Sequence, residues 1–167
     1  KNWRGMSDYG GRRIKRSILI DISSVRFMEG KDIEKLKKLP SINKYLSEKI
    51  NEIEKYNNSV DEEKEKRKLT NLGTLRAYLV NYLKNHQDLN TDTMTLIVRQ
   101  LSPTSEGVPL EVYTFTNTVD WVEYEGIQSD IFDHIFAVLP KFGLRAFQGG
   151  TVEAAASRGQ SINETEI

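Results

Sequence analysis

Apolar and polar positions alternate near the start of the chain and then change to a helical spacing. From Arg12 onward a period-two pattern predicts a β-strand. One face of that strand holds Ile14, Arg16, Ile18, Ile20 and Ile22. Apolar residues then recur at helical spacing from about Lys31 to Tyr56. Pro40 divides this stretch, because proline fits the first turn of a helix but not its interior.

In the middle of the chain, a helical spacing of apolar residues is followed by two segments typical of strands. Leucines at every third or fourth position predict a further helix from Thr70 to His86. Met94–Leu101 and Leu110–Thr116 are typical of strands, and the loop between them contains proline and glycine. Two such strands joined by a turn-rich loop favour a hairpin.

A last helix is predicted to begin at Asp120, because Asp120 and Glu123 have the spacing of a capping box. Gly143 can supply the left-handed turn that ends it, and Leu144–Phe147 is predicted to form a short closing strand. The side of this helix that we expect to be buried consists of Trp121, Tyr124, Ile127, Ile131, Ile135, Val138 and Leu139.

The predicted order is strand, helix, added helix, strand, strand, helix, strand. This β-α-α-β-β-α-β order predicts an α+β domain of the ferredoxin-like, split βαβ arrangement, with an inserted helix. We interpret residues 1–11 as a linker or the end of a preceding unit, 12–148 as the domain and 149–167 as a flexible tail. The charged run Asp61–Lys68 is expected to be a solvated loop or helix end.

Composition narrows the functions that fit. The 167 residues carry 24 Lys and Arg against 24 Asp and Glu, and this zero net charge argues against a nucleic-acid partner. The chain has no cysteine, which excludes disulfides and Cys-ligated zinc. Its longest apolar run, Ile135–Leu139, is far shorter than the roughly 20 residues of a membrane-spanning helix. Because the chain opens at Lys1 rather than Met, we expect it to be a piece of a longer protein.

Candidate chemistry is sparse. No nucleotide-binding or nucleophile motif is present, so we expect neither enzymatic activity nor a cofactor. Asp130 and His134 share a helix face and could hold a metal, but they have no third ligand nearby. We therefore expect no metal site and place His134 on the exposed flank of its helix. A metal-dependent enzyme that uses Asp130 and His134 stays an alternative, ranked third behind the two functions given at the end of this section. His86 is expected to face the terminal carbonyls of its helix.

Two further features bear on binding. Tyr113 and Phe115 alternate on one face of the third strand, as base-stacking aromatics do in RNA recognition modules. The first strand offers isoleucines instead of an aromatic, so we expect Tyr113 and Phe115 to pack under a helix. Gly10 and Gly11 are interpreted as a hinge that enters the first strand.

Four segments together resemble the cytoplasmic portion of the small-conductance mechanosensitive channel family, in its longer, miniconductance-type bacterial branch. They are Lys1–Arg16 (KNWRGMSDYGGRRIKR), Leu69–Tyr78 (LTNLGTLRAY), Val98–Pro103 (VRQLSP) and Tyr124–His134 (YEGIQSDIFDH). The resemblance extends from Lys1 to Phe147. Relative to shorter family members, the chain has an insert around Asp61–Gln87.

The resemblance implies a tension-gated channel in the bacterial inner membrane, with this chain on the cytoplasmic side. The parent would have transmembrane helices before Lys1, and residues 1–11 would end a small β domain. Seven copies would form a cage that passes ions and small osmolytes during hypo-osmotic shock. The junction between the two domains would be formed by Trp3, Arg4, Gly10, Gly11, Arg12 and Arg13. The alternative is a ferredoxin-like module that binds RNA or a small ligand.

Overall fold

The computed structural model describes residues 10–149, which form a mixed α+β structure around one antiparallel sheet. The strands are β1 (Arg13–Ile20), β2 (Ile97–Gln100) and β3 (Val108–Phe115). Their order is β1–β3–β2, so β3 is the central strand. Ile18 of β1 lies opposite Leu110, and Val98 of β2 lies opposite Val112. The predicted hairpin between the second and third strands is confirmed, although β2 is shorter than expected.

Four helices accompany this sheet in the described part of the chain. They are α1 (Gly30–Lys37), α2 (Pro40–Asn57), α3 (Asn71–Lys84) and α4 (Trp121–Val138). The break at Pro40 is confirmed, since this proline occupies the first turn of α2. The predicted start of the last helix is confirmed as well: the Asp120 carboxylate accepts a hydrogen bond from the Glu123 amide at 2.9 Å.

One hydrophobic core joins the sheet to all four helices. Its largest fully buried side chains are Phe132, Ile14, Ile18, Ile20, Ile42, Leu46, Leu75, Leu79, Leu83, Leu110, Ile131 and Ile135. The apolar face predicted for the first strand is therefore correct up to Ile20. Ile22, which we expected on that face, is 57% exposed, because the chain leaves the sheet at Asp21 and forms the 3₁₀ turn Ile22–Ser24.

The predicted closing strand at Leu144–Phe147 is reduced to a single antiparallel bridge. Ala146 pairs with Ile20, and the Phe147 amide donates to the Leu19 carbonyl at 2.8 Å. The pairing stops on the other side because the Arg145 amide donates to the Ser24 hydroxyl instead of to β1. The described residues thus contain a three-stranded sheet with one bridge at the free edge of β1.

Candidate interface at the N-terminal junction

The start of β1 is held by close packing against the end of β3. Gly11 is buried, and a Cβ there would overlap the Thr116 carbonyl oxygen. Gly10 is exposed, has open space around it and adopts a left-handed φ of 71°. The hinge interpretation is therefore wrong for Gly11, which is needed for a close backbone approach. Only Gly10 has the conformational freedom that the sequence indicated.

Arg12 connects this start to two other segments. Its amide donates to the Thr116 hydroxyl at 3.1 Å, and its carbonyl accepts from the Thr116 amide at 2.9 Å. The Arg12 Nε donates to the carbonyl of Val119 at 2.7 Å. These bonds fix the beginning of β1 relative to the loop that leads into α4.

Arg13 lies on the face of the sheet opposite the helices. Its guanidinium is 5.8 Å from the centre of the Tyr113 ring, which meets Phe115 edge-on at 5.7 Å. The Tyr124 hydroxyl donates to the Arg13 carbonyl at 2.7 Å, and burial raises the pKa of that tyrosine, which keeps it a donor.

The expectation that Tyr113 and Phe115 pack under a helix is wrong. Both are half-buried, whereas Val112 and Thr114, which alternate with them, are buried on the helix side. Alternation along β3 correctly assigns Tyr113 and Phe115 to one face and Val112 and Thr114 to the other, but it does not show which of the two faces the helices cover.

An exposed apolar surface adjoins the junction. We call Val119, Trp121 and Val122 the junction patch; they are 40%, 60% and 73% exposed. Trp121 was predicted to be buried, and this is wrong: in the first two turns of α4 the half-buried Tyr124 reaches β1, and burial in the core begins only at Ile127. Clustered exposed apolar side chains mark interaction surfaces more often than scattered ones do.

His134 is also placed differently from the prediction. Its ring is half-buried and stacks on Tyr82, with centroids 4.1 Å apart, and its Nε2 is hydrogen-bonded to the Tyr78 hydroxyl at 2.8 Å. Burial, helped by Lys141 and His86, lowers the pKa of His134. The His86 Nδ1 accepts from the Asp88 amide at 3.1 Å and does not face the helix carbonyls as predicted. Within residues 10–149, no three His, Cys, Asp or Glu side chains come together in a group that could hold a metal ion.

Of the six junction residues predicted from the sequence, four lie consecutively where the chain enters β1: Gly10, Gly11, Arg12 and Arg13. Trp3 and Arg4 lie outside the described residues. Sequence reasoning missed Thr116 and the junction patch. Val122 carried a usable signal, since it falls off the buried side of α4 and is apolar all the same.

The fold and this surface define the class of the chain as an α+β domain in which hydrogen bonds hold the start of the first strand beside an exposed apolar patch. The chain matches no protein-family model. Among the described helices, none combines the length and the apolar character needed to cross a bilayer.

Proposed function

We propose that this chain is the cytoplasmic vestibule domain of a membrane-tension-gated channel of the small-conductance mechanosensitive family. The observation that carries the proposal is that two of the four resembling segments each contact a third, Tyr124–His134. Lys1–Arg16 meets Tyr124–His134 where the Tyr124 hydroxyl binds the Arg13 carbonyl at 2.7 Å. Leu69–Tyr78 meets the same segment at the hydrogen bond between Tyr78 and His134, 2.8 Å long. Residues that mark the resemblance therefore form contacts within the fold.

In this role the chain performs no reaction. Seven copies line a cage below the pore, and ions and small osmolytes pass through it when tension opens the membrane part of the parent. The packing of Gly11 and the hydrogen bonds of Arg12 support this role, since they fix the start of the first strand directly after the segment that would end the preceding β domain. The parent is placed in the bacterial inner membrane, anchored by helices that precede Lys1.

We further propose that the domain has the ferredoxin-like strand order 4-1-3-2. The antiparallel order β1–β3–β2 supports this assignment. The bridge between Ala146 and Ile20 supports it too, because it lies on the edge of β1 where the fourth strand of that fold belongs.

The test uses the complete parent gene. We expect the sequence before Lys1 to encode apolar segments of about 20 residues. Expressed in bacteria that lack their own mechanosensitive channels, the full protein is expected to give currents that open with suction on a membrane patch. The same strain without the gene is the control. A parent without apolar segments, or currents that do not respond to suction, would overturn the proposal.

One observation favours the alternative of an RNA-binding module. Tyr113 and Phe115 lie beside the Arg13 guanidinium on the sheet face that none of the described helices covers, an arrangement that can stack bases. If this alternative holds, a single-stranded RNA oligonucleotide binds with an affinity that falls steeply with salt. Tyr113→Ala then weakens binding about 10-fold, while Tyr56→Ala, at an exposed tyrosine of α2, leaves it unchanged. Absence of salt-dependent binding rules the alternative out.

A further inference from the structure

We propose that the junction patch is the docking surface for residues 1–9 of the same chain, through the apolar side chains of Trp3, Met6 and Tyr9. This contact does not depend on the channel function, because it involves only residues of this chain.

The first observation is the exposure of the patch. Val119, Trp121 and Val122 fall within four consecutive positions, and Trp121 and Val122 are 60% and 73% exposed. A single exposed apolar side chain needs no explanation, but a tryptophan and two valines exposed within four consecutive positions mark a candidate contact surface. Such a surface is stabilised when another apolar group covers it.

The second observation is where the preceding segment leaves the domain. Arg12 binds the Val119 carbonyl at 2.7 Å, so the chain enters β1 directly beside the patch. The left-handed φ of 71° at Gly10 breaks the extended course of β1. Trp3 is seven residues from Gly10, and an extended segment of that length spans up to about 25 Å. The patch therefore lies well within reach of the segment.

The third observation is chemical complementarity. Trp3, Met6 and Tyr9 recur at every third position, so that the segment offers three apolar side chains to the patch. Lys1 and Arg4 accompany them with positive charge. The first turn of α4 presents the exposed carboxylates of Asp120 and Glu123 beside the apolar surface. The apolar side chains of residues 1–9 thus match the apolar junction patch, and their positive charges match the neighbouring carboxylates.

The chain permits a sharp test because Trp3 and Trp121 are its only tryptophans. In the Trp3→Phe variant, Trp121 is the sole reporter, and acrylamide quenching of its fluorescence measures its exposure. The comparison variant carries Trp3→Ser, Met6→Ser and Tyr9→Ser. We expect the quenching constant of Trp121 to rise at least about twofold in the comparison variant, since undocking returns this ring to its 60% exposure.

The reciprocal measurement and the control use the other side of the contact. With Trp121→Ser and Val122→Ser, Trp3 becomes the sole reporter, and we expect its emission to shift to the red and its quenching to increase. Phe136→Ser, at an apolar residue 44% exposed elsewhere on α4, is the control and leaves the quenching of Trp121 unchanged. Far-ultraviolet circular dichroism checks that each variant keeps its helices.

Two results would overturn the proposal. Equal quenching of Trp121 with and without the three serines would show that residues 1–9 do not cover the patch. Protection of Trp121 that grows with protein concentration and survives the three serines would assign the patch to a second copy of the chain. Neither result bears on the suction-activated currents of the parent, so the two proposals fail separately.

Discussion

The side chain of Asn71 joins three separate segments at the first turn of α3, and we expect its removal to be one of the most damaging single changes in the domain. Its Oδ1 accepts from the Arg26 amide at 3.0 Å. Its Nδ2 donates to the carbonyls of Ser24 and Phe142 at 2.9 and 3.0 Å. The residue is only 1% exposed, so water cannot replace these bonds in the folded state.

The magnitude follows from these three bonds. A buried hydrogen bond contributes a net 0.5–1.5 kcal/mol, so Asn71→Ala is expected to lower the free energy of unfolding by about 3 kcal/mol. This is a large part of the roughly 5–15 kcal/mol that stabilises a domain. With a denaturant slope of about 2 kcal/mol per molar urea, the unfolding midpoint falls by about 1.5 M.

Urea unfolding followed by circular dichroism measures this change. Asn51→Ala is the matched control, because Asn51 is exposed in the interior of α2 and its replacement alters only helix propensity, by less than about 0.5 kcal/mol. Asn71→Asp is expected to be at least as damaging near neutral pH, since it turns a carboxylate oxygen toward two carbonyls, and to recover on acidification. A loss below about 1 kcal/mol for Asn71→Ala would refute the reasoning.

Three further predictions concern other described residues. Gly11→Ala is expected to lower the free energy of unfolding by about 3 kcal/mol, because the added Cβ overlaps the backbone of Thr116. Gly10→Ala should lower it by about 1 kcal/mol, since the Cβ meets open space and only the positive φ is unfavourable. Urea unfolding of the two variants measures both changes. Arg99→Met leaves the carboxylate of Glu111, 5% exposed, without the Nε that binds it at 3.0 Å. We expect urea unfolding to show that Arg99→Met lowers the free energy of unfolding by about 2 kcal/mol. Adding Glu111→Met should restore most of this stability, because no unpaired carboxylate is then buried. A double variant as unstable as Arg99→Met alone would contradict this. Because the folded-state pKa of His134 is lowered from 6.5, its contribution to stability is complete above about pH 7 and is lost as pH falls below that ordinary value. In the His134→Phe variant, the free energy of unfolding should therefore fall less steeply between about pH 7.5 and 5.5. An unchanged slope over this range would show that other groups cause the loss of stability.

Helices were the most predictable part of this fold, because their signals are local. The break at Pro40 and the cap at Asp120 depend on the geometry of a few adjacent residues, and both lie where the sequence indicated. The face of β1 could be predicted for the same reason, since alternation settles which of its residues point the same way.

Features that depend on how elements pack could not be predicted in this way. The apolar stripe of α4 does not reveal that burial in the core begins only at Ile127, so Trp121 was placed inside although it is 60% exposed. Alternation in β3 did not reveal which face the helices cover, so Tyr113 and Phe115 were placed under a helix. The close approach of Gly11 to Thr116 joins residues more than a hundred positions apart, and no local pattern encodes it.

The segment Asp61–Gln87, which the family resemblance marks as an insert, divides into two parts with different structural roles. Leu75, Leu79 and Leu83 of α3 are fully buried in the common core. The Tyr78 hydroxyl binds His134 of α4. An element that fills the core in this way cannot be removed without repacking the rest, so α3 belongs to the body of the domain. The exposed parts of this segment are the loop at 61–68 and the outer side of α3 around Val80, which is 36% exposed. A function specific to the insert therefore has to be sought on those two surfaces.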